Sequence, residues 1–333
     1  MLNDGIYIAV NWPMNIGAGN RFMYLQRTLK KEITCTSIGL HTGRKINMTI
    51  KPAAVDSGIV FVRKDLSTHN FIKADLHSVS DTHLATTIGN NGARVSTVEH
   101  LLSAFSGMGL DNAIVEVDAP EIPIMDGSAL PFVKLLKNVG TRVQGKGKSL
   151  LVIQKAVSVS DGEGEAMLLP SPEFKITYKI DFQHPLICEQ TYHVAFSDIA
   201  YEQEICAART FGFLKDVEYM QAKGLALGGS LKNAVVLTDK KIVNKEGLRF
   251  PDEFVKHKIL DAIGDLSLLG MPIIGHFVAY KSGHKLNNLL LKELLERKDC
   301  WKIIGSFQRG YSSKGEASLN IPCFATLDSV QAC

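Results

Sequence analysis

Gln144-Gly145-Lys146-Gly147-Lys148-Ser149-Leu150-Leu151-Val152-Ile153 divides the chain. Its first five residues are polar and glycine-rich and read as a linker. The apolar run Leu150 to Ile153 then starts a fresh strand. On the N-terminal side, residues 24–62 read as strands and turns, and Lys45-Ile46-Asn47-Met48-Thr49-Ile50-Lys51 alternates as a half-buried strand should. Ser96 precedes a helix over Thr97 to Phe105 and is placed to cap it. A strand at Asn112 to Asp118 and a helix at Ser128 to Asn138 follow. On the C-terminal side come strands near 164–169 and 174–181, a helix around 197–208 and a long helix through His257. The order strands, helix, strand, helix on both sides predicts two copies of a similar α+β unit, each with helices on one face of a sheet. No residue-level repeat accompanies that order. Domains are expected at 23–145 and 149–300. Residues 1–22 read as an N-terminal extension, either disordered or not translated, with Met23 an alternative start, and 301–333 as a divergent C-terminal tail.

Composition narrows the function classes. The chain has 333 residues, 45% hydrophobic and 21% charged, as in a soluble globular protein with real cores. A net charge of +3 gives no argument for a nucleic-acid partner. Six cysteines (Cys35, Cys188, Cys206, Cys300, Cys323, Cys333) form no CxxC pair, which excludes a disulfide framework and thiolate-rich zinc patterns and suits a reducing cytosol. No apolar run approaches the roughly 18 residues of a membrane span. The N-terminus lacks a basic region and is broken by Asn11-Trp12-Pro13, so a signal peptide is not expected.

The chemistry concentrates in His257-Lys258-Ile259-Leu260-Asp261-Ala262-Ile263-Gly264-Asp265. His257 and Asp261 lie slightly more than one turn apart on one helix face. A nitrogen and an oxygen ligand side by side suit a divalent metal such as zinc. The surrounding run is apolar, and burying charge there is costly unless it is paired or coordinated. A catalytic zinc needs a third protein ligand and an open position. Thr97-Val98-Glu99-His100 offers His100 as ligand and Glu99 as a base; the alternative is a core histidine beside a solvated glutamate. In Ser282-Gly283-His284-Lys285, His284 follows a glycine where a strand gives way to a helix and can reach into a cleft as a general acid, or be an isolated histidine of no special role. Asp265 is placed to orient it. In Ala207-Ala208-Arg209-Thr210-Phe211-Gly212-Phe213, Thr210 can donate to an oxyanion and Phe211 can stack on a ring, or the segment is a helix end with packed aromatics. Glu121 to Ser128 reads as a structural turn, with Asp126 or Ser128 capping the next helix. The insert 212–231 starts as a short amphipathic helix and ends in glycines; its apolar residues are either core or the lining of a channel. P-loop, GxGxxG, GxSxG and HExxH patterns are absent.

In order and spacing, Gly39-Leu40-His41-Thr42-Gly43, Ser96 to His100, Glu121 to Ser128, Ala208 to Phe213, Leu227-Gly228-Gly229-Ser230, His257 to Asp265 and Ser282-Gly283-His284 resemble the zinc-dependent UDP-3-O-acyl-N-acetylglucosamine deacetylases of lipid A synthesis. The resemblance runs from about Gln26 to about Asn288. It implies one Zn2+ per chain on His100, His257 and Asp261, with Glu99 as general base, His284 as acid/base beside Asp265, Thr210 at the oxyanion and Lys258 supplying charge. Phe211, Leu214, Val217, Gly229 and Lys258 would contact substrate, the 212–231 insert forming a passage for the acyl chain. The implied fold is two sandwich domains, each a mostly antiparallel sheet with helices on one face, the helices packed together between the sheets. The implied reaction is hydrolysis of the N-acetyl group of a UDP-linked acylated amino sugar, the committed step of lipid A biosynthesis in a Gram-negative cytoplasm. A monomer with no nucleic-acid partner and no transmembrane segment is expected, which leaves open transient contact with a membrane surface. The rival readings are a zinc amidohydrolase for another N-acyl sugar and a non-catalytic binding protein of the same fold.

Overall fold

Alternation in the sequence builds the first sheet. In the strand Lys45–Pro52, Ile46, Met48 and Ile50 turn inward and are buried, while Lys45 and Asn47 face solvent, as the two-residue period of a strand requires. The computed structural model describes residues 25–68 and 70–305. The expected extension at 1–22 and residues 306–333 of the expected tail lie outside the described residues.

The first five-stranded sheet runs, edge to edge, Ile33–Ile38, Lys45–Pro52, Ala113–Val117, Ile59–Arg63, Phe71–Lys73. The second runs Val157–Ser160, Glu165–Leu169, His276–Tyr280, Lys175–Asp181, Glu189–Ala195. Numbered along the chain, both sheets have the spatial order first, second, fifth, third, fourth. In both, every neighbouring pair is antiparallel except the fifth strand with the third. The fold is α+β with mostly antiparallel sheets, and the repeated element order is matched by a repeated topology.

The helices are α1 (Glu99–Gly107), α2 (Leu130–Val139), the single turn α3 (Asp198–Ala200), α4 (Leu214–Ala222), α5 (Glu253–Ser267) and α6 (His284–Glu296). Helix α1 packs along α5, and α5 and α6 lie against strands of the second sheet. Close approach of α1 and α5 depends on Gly264. A Cβ there would sit 2.1 Å from the Glu99 carbonyl oxygen, so only glycine lets the helices meet at this point. Met48, Phe61 and Val115 of the first sheet share one continuous core with Leu101, Leu260, Tyr178 and Phe277.

Local departures from the sequence reading have physical causes. Gln144 to Gly147 are not a free linker; they end a strand, Thr141–Gly147, paired with Leu25–Leu29. Polar residues serve a two-stranded surface ribbon, and Gln144 is held by Asn112 and the Ala53 carbonyl. Trp301–Gly305, placed in the divergent tail by sequence, pairs antiparallel with Ser149–Ile153. Ser96 does not cap α1. The helix begins at Glu99 with no side-chain cap, because Thr97 turns the chain with φ at 58° and the Ser96 backbone bonds to Pro120 and Ile122. The helix expected around 197–208 is α3 followed by a π-turn, Tyr201–Ile205. Before α2, Asp126 Oδ1 accepts from the Ser128 amide and Ser128 Oγ accepts from the Leu130 amide, which builds the turn, but the N-cap is Ala129 with no side-chain cap, so neither Asp126 nor Ser128 is the cap expected from sequence.

Candidate metal centre

Helix α5 presents His257 and Asp261 on one face, and the first turn of α1 brings His100 against them. All three are buried, and their ligand atoms lie within 4.8 Å of one another. His257 Nε2 is 3.3 Å and His100 Nε2 3.4 Å from Asp261 Oδ1. Neither contact is a hydrogen bond: Asp261 Oδ1 is buried without a hydrogen-bond partner. An orphaned carboxylate oxygen facing two imidazole nitrogens is expensive, and a cation between them removes the cost. The separations fit that occupant. Tetrahedral zinc with ligands at about 2.0–2.1 Å spaces its donors by about 3.3–3.4 Å.

The ligands are held from behind. His257 Nδ1 donates to the Ala208 carbonyl at 3.0 Å, which leaves Nε2 as the lone-pair donor. Burial pulls the His257 imidazole down to about 3, so it stays neutral as a ligand must. Burial pushes the Asp261 carboxyl up, but His257 and Lys258 outweigh it and hold the group well below the usual carboxylate range. Lys258 Nζ donates to Asp261 Oδ2 at 2.6 Å, pinning one oxygen and leaving Oδ1 to the centre. His100 Nδ1 has no hydrogen-bond partner; that ring is oriented by an edge contact with His257, centroids 5.0 Å apart.

Beside the triad lies a second cluster. Glu99 Oε2 accepts from the Thr86 amide at 3.1 Å. Burial raises its carboxyl above the ordinary range, against the pull of His284 and His100, which suits a proton acceptor working near neutral pH. His284, the first residue of α6, places Nε2 at 3.9 Å from Glu99 Oε1 and donates Nδ1 to Asp265 Oδ2 at 2.8 Å. Burial pulls the His284 imidazole down, but Asp265 and Glu99 outweigh it and raise it to about 9.

Glu99, His100, His257, Asp261 and Asp265, all buried, thus form one cluster with the half-buried Lys258 and His284. Phe211 meets it at the edge, its ring 6.3 Å from that of His257 and packed on Phe254. Thr210 is tied in through its backbone, donating to Gly127 and accepting from Val235. The insert stands apart. None of α4 is buried, so the core reading fails for the apolar residues of that helix, while Phe213 before it packs on the core and Ala226 after it is buried. Leu214 is exposed and Val217 half-buried. Gly229 lies in a turn docked on the Gly39–Gly43 segment through Leu227 to His41 and Gly228 to Leu40 backbone bonds.

Several supporting contacts join residues whose pairing no sequence spacing gives. Glu121, buried, accepts from the His41 and Thr42 amides and the Thr42 hydroxyl, fixing that same segment. Arg209 clasps the fully buried Glu253 of α5, whose Oε1 also accepts the Arg209 amide at 3.0 Å. The Ala208–Arg209 peptide group is therefore held between Glu253 and His257, one helical turn apart. Thr86 and Asn287 complete the set through Asp265.

Two imidazoles and a carboxylate converging in a buried site, with a second carboxyl group alongside, are a set that could hold a metal ion, the class of site found in metalloenzymes. Comparison with known proteins gives the particular kind. The description of the matching family, over residues 26–296, is LpxC, UDP-3-O-acyl N-acetylglycosamine deacetylase, and the chain belongs to that family. The UDP-3-O-acyl-N-acetylglucosamine deacetylase of Syntrophus aciditrophicus (strain SB) is 68% identical over 279 residues, covering 84% of this chain and 89% of its own length. Proteins of the same name from Myxococcus xanthus (strain DK1622) and Teredinibacter turnerae (strain ATCC 39867 / T7901) are 51% and 53% identical, covering 88% and 85% of this chain and 93% and 94% of their own lengths.

Proposed function

We infer that this chain hydrolyses the N-acetyl amide of UDP-3-O-acyl-N-acetylglucosamine, a step of lipid A biosynthesis, giving acetate and the free amine. The observation that carries the chemistry is the orphaned Asp261 oxygen flanked by two imidazole nitrogens at 3.3 and 3.4 Å. The ion assigned to His100, His257 and Asp261 is one zinc per chain. When bound, zinc supplies Lewis-acid polarisation of the amide carbonyl and acidifies water.

The side chains do the rest. Glu99, with Oε2 tethered by the Thr86 amide, has Oε1 free to take a proton from the attacking water. His284, held cationic by Asp265, balances the negative charge of the tetrahedral species and donates from Nε2 to the leaving nitrogen. As the C–N bond breaks, the nitrogen leaves as an amine and the carbonyl carbon, now bearing the water oxygen, leaves as acetate. Thr210 is assigned to the oxyanion. Lys258 is assigned a double role: it fixes Asp261 and adds positive charge beside the site. Phe211 is assigned to the sugar side, and Leu214, Val217 and Gly229 to the acyl chain, for which exposed apolar groups on α4 are a fitting surface.

No described helix is long and apolar enough to cross a membrane. We place the enzyme in the cytoplasm, where its four described cysteines, all free, stay reduced. Mass spectrometry of the product from UDP-3-O-acyl-N-acetylglucosamine tests the reading. Replacement of one acetyl by hydrogen, abolished by a chelator and restored by zinc, is expected. Unchanged substrate, or turnover indifferent to the chelator, would overturn it.

A further inference from the structure

Thr86 has no place in any motif, yet each of its polar groups is committed to the active centre. Its amide donates to Glu99 Oε2 at 3.1 Å. Its carbonyl accepts from the Val98 amide at 3.3 Å, at the entry to α1. Its hydroxyl donates to Asp265 Oδ1 at 2.6 Å across 179 residues of chain. The side chain is 2% exposed, so no water competes for these bonds.

Asp265 collects the remaining partners. Its other oxygen, Oδ2, accepts from His284 Nδ1 at 2.8 Å and from Asn287 Nδ2 at 2.9 Å, and Asn287 is itself oriented by the Ser282 hydroxyl. Following the bonds from Glu99 to Thr86, Asp265 and His284 leads back to within 3.9 Å of Glu99. The chain of contacts is a ring, open only between Glu99 Oε1 and His284 Nε2. That opening lies between the proton acceptor and the proton donor. Glu99 comes from α1 and His284 from α6, and the Thr86 hydroxyl is the side-chain bond that joins their supports.

We propose that Thr86 is a positioning residue that sets the separation and orientation of Glu99 and His284 through its hydroxyl bond to Asp265. This rests on the deacetylase reading above. It makes Thr86 dispensable for metal binding, since none of its bonds goes to His100, His257 or Asp261. It also makes Thr86 matter to kcat rather than to KM, because the groups it holds act in the chemical step.

Thr86→Val keeps the β-branch and both backbone bonds and deletes only the hydroxyl. Thr86→Ser restores it. Both are compared with wild type for zinc content, thermal unfolding, and kcat and KM on UDP-3-O-acyl-N-acetylglucosamine. Thr86→Val should keep one zinc per chain and a KM within about twofold of wild type, while kcat falls about 10- to 100-fold, the usual scale for losing an outer support of a metal site. Thr86→Ser should recover most of kcat. A folded, zinc-loaded Thr86→Val with wild-type kcat overturns the assignment, as does a Thr86→Ser as impaired as the valine variant. Should the valine variant not fold, Thr86→Ala is read by the same criterion. An active wild type with unimpaired variants removes only the role of Thr86; an inert wild type removes the deacetylase reading and this role with it.

Discussion

Helices α4 and α5 both mix apolar with charged residues, and the fold treats them oppositely. Of the 15 residues of α5, Lys258 and Ser267 alone are not buried; of the nine in α4, none is buried. Charges forced into a core demand partners, and α5 meets that demand with a His/Asp set that could hold a metal ion and with the Asp265 network. Apolar side chains left in solvent do not stabilise a fold, so those of α4 point to something that comes and goes. A buried polar group and an exposed apolar one are each informative because folding alone would avoid both.

The sharpest way to break this contrast is at the centre that α5 helps to build. Glu99→Gln should keep zinc and fold but lose turnover by about 10²- to 10⁴-fold, the scale of general acid–base catalysis. Near-normal kcat in the zinc-loaded variant would remove Glu99 from the proton path.

The pH profile is the next test. His284 is raised from its ordinary value of 6.5 to about 9, so the fold favours the protonated form. Its contribution is complete below about 6.5 and lost as pH rises through about 9. Turnover should fall about tenfold per unit above that point if the imidazolium is the required form. His284→Gln should be slow throughout and lack that limb; a limb surviving in the variant would belong to another group.

Gly264→Ala asks whether α5 must touch α1. In an open helix alanine is favoured over glycine by about 1 kcal/mol. Here the added Cβ would lie 2.1 Å from the Glu99 carbonyl oxygen, and backbone cannot rotate away. Overpacking should win, for a net loss of about 1–3 kcal/mol in chemical denaturation, with kcat reduced because Glu99 moves. A more stable, fully active variant would show that the two helices can part.

On α4 the expected effects reverse. Leu214→Ala, at an exposed position, should change stability by less than about 0.5 kcal/mol, and Val217→Ala, half-buried, by no more than about 1 kcal/mol. KM should rise with a long-acyl substrate and stay level with a short-acyl one. Equal effects on both substrates would detach α4 from the acyl chain.

Much of this was legible in sequence because its signals are periodic or local. The i, i+4 pair His257 and Asp261 needs only a helix, and the alternation at Lys45 to Lys51 needs only a half-buried strand. What was not legible depends on contacts that no spacing encodes. Thr86 reaches Asp265 across 179 residues, and a threonine beside Thr87 carries no mark of that. The Arg209–Glu253 clasp was hidden for the same reason. Ser96 misled because a capping residue and a residue just before a left-handed turn look alike in sequence. The polar run at 144–147 misled because a surface ribbon needs no apolar face. Leu214 and Val217 have helical spacing, which predicts a helix correctly and says nothing of what covers it.

Zinc analysis of His257→Ala beside wild type, with turnover of UDP-3-O-acyl-N-acetylglucosamine measured on the same preparations, tests the central claim most directly. The account predicts one zinc per wild-type chain, and a folded variant that has lost both the metal and the activity. A variant that keeps full turnover and its zinc would contradict it.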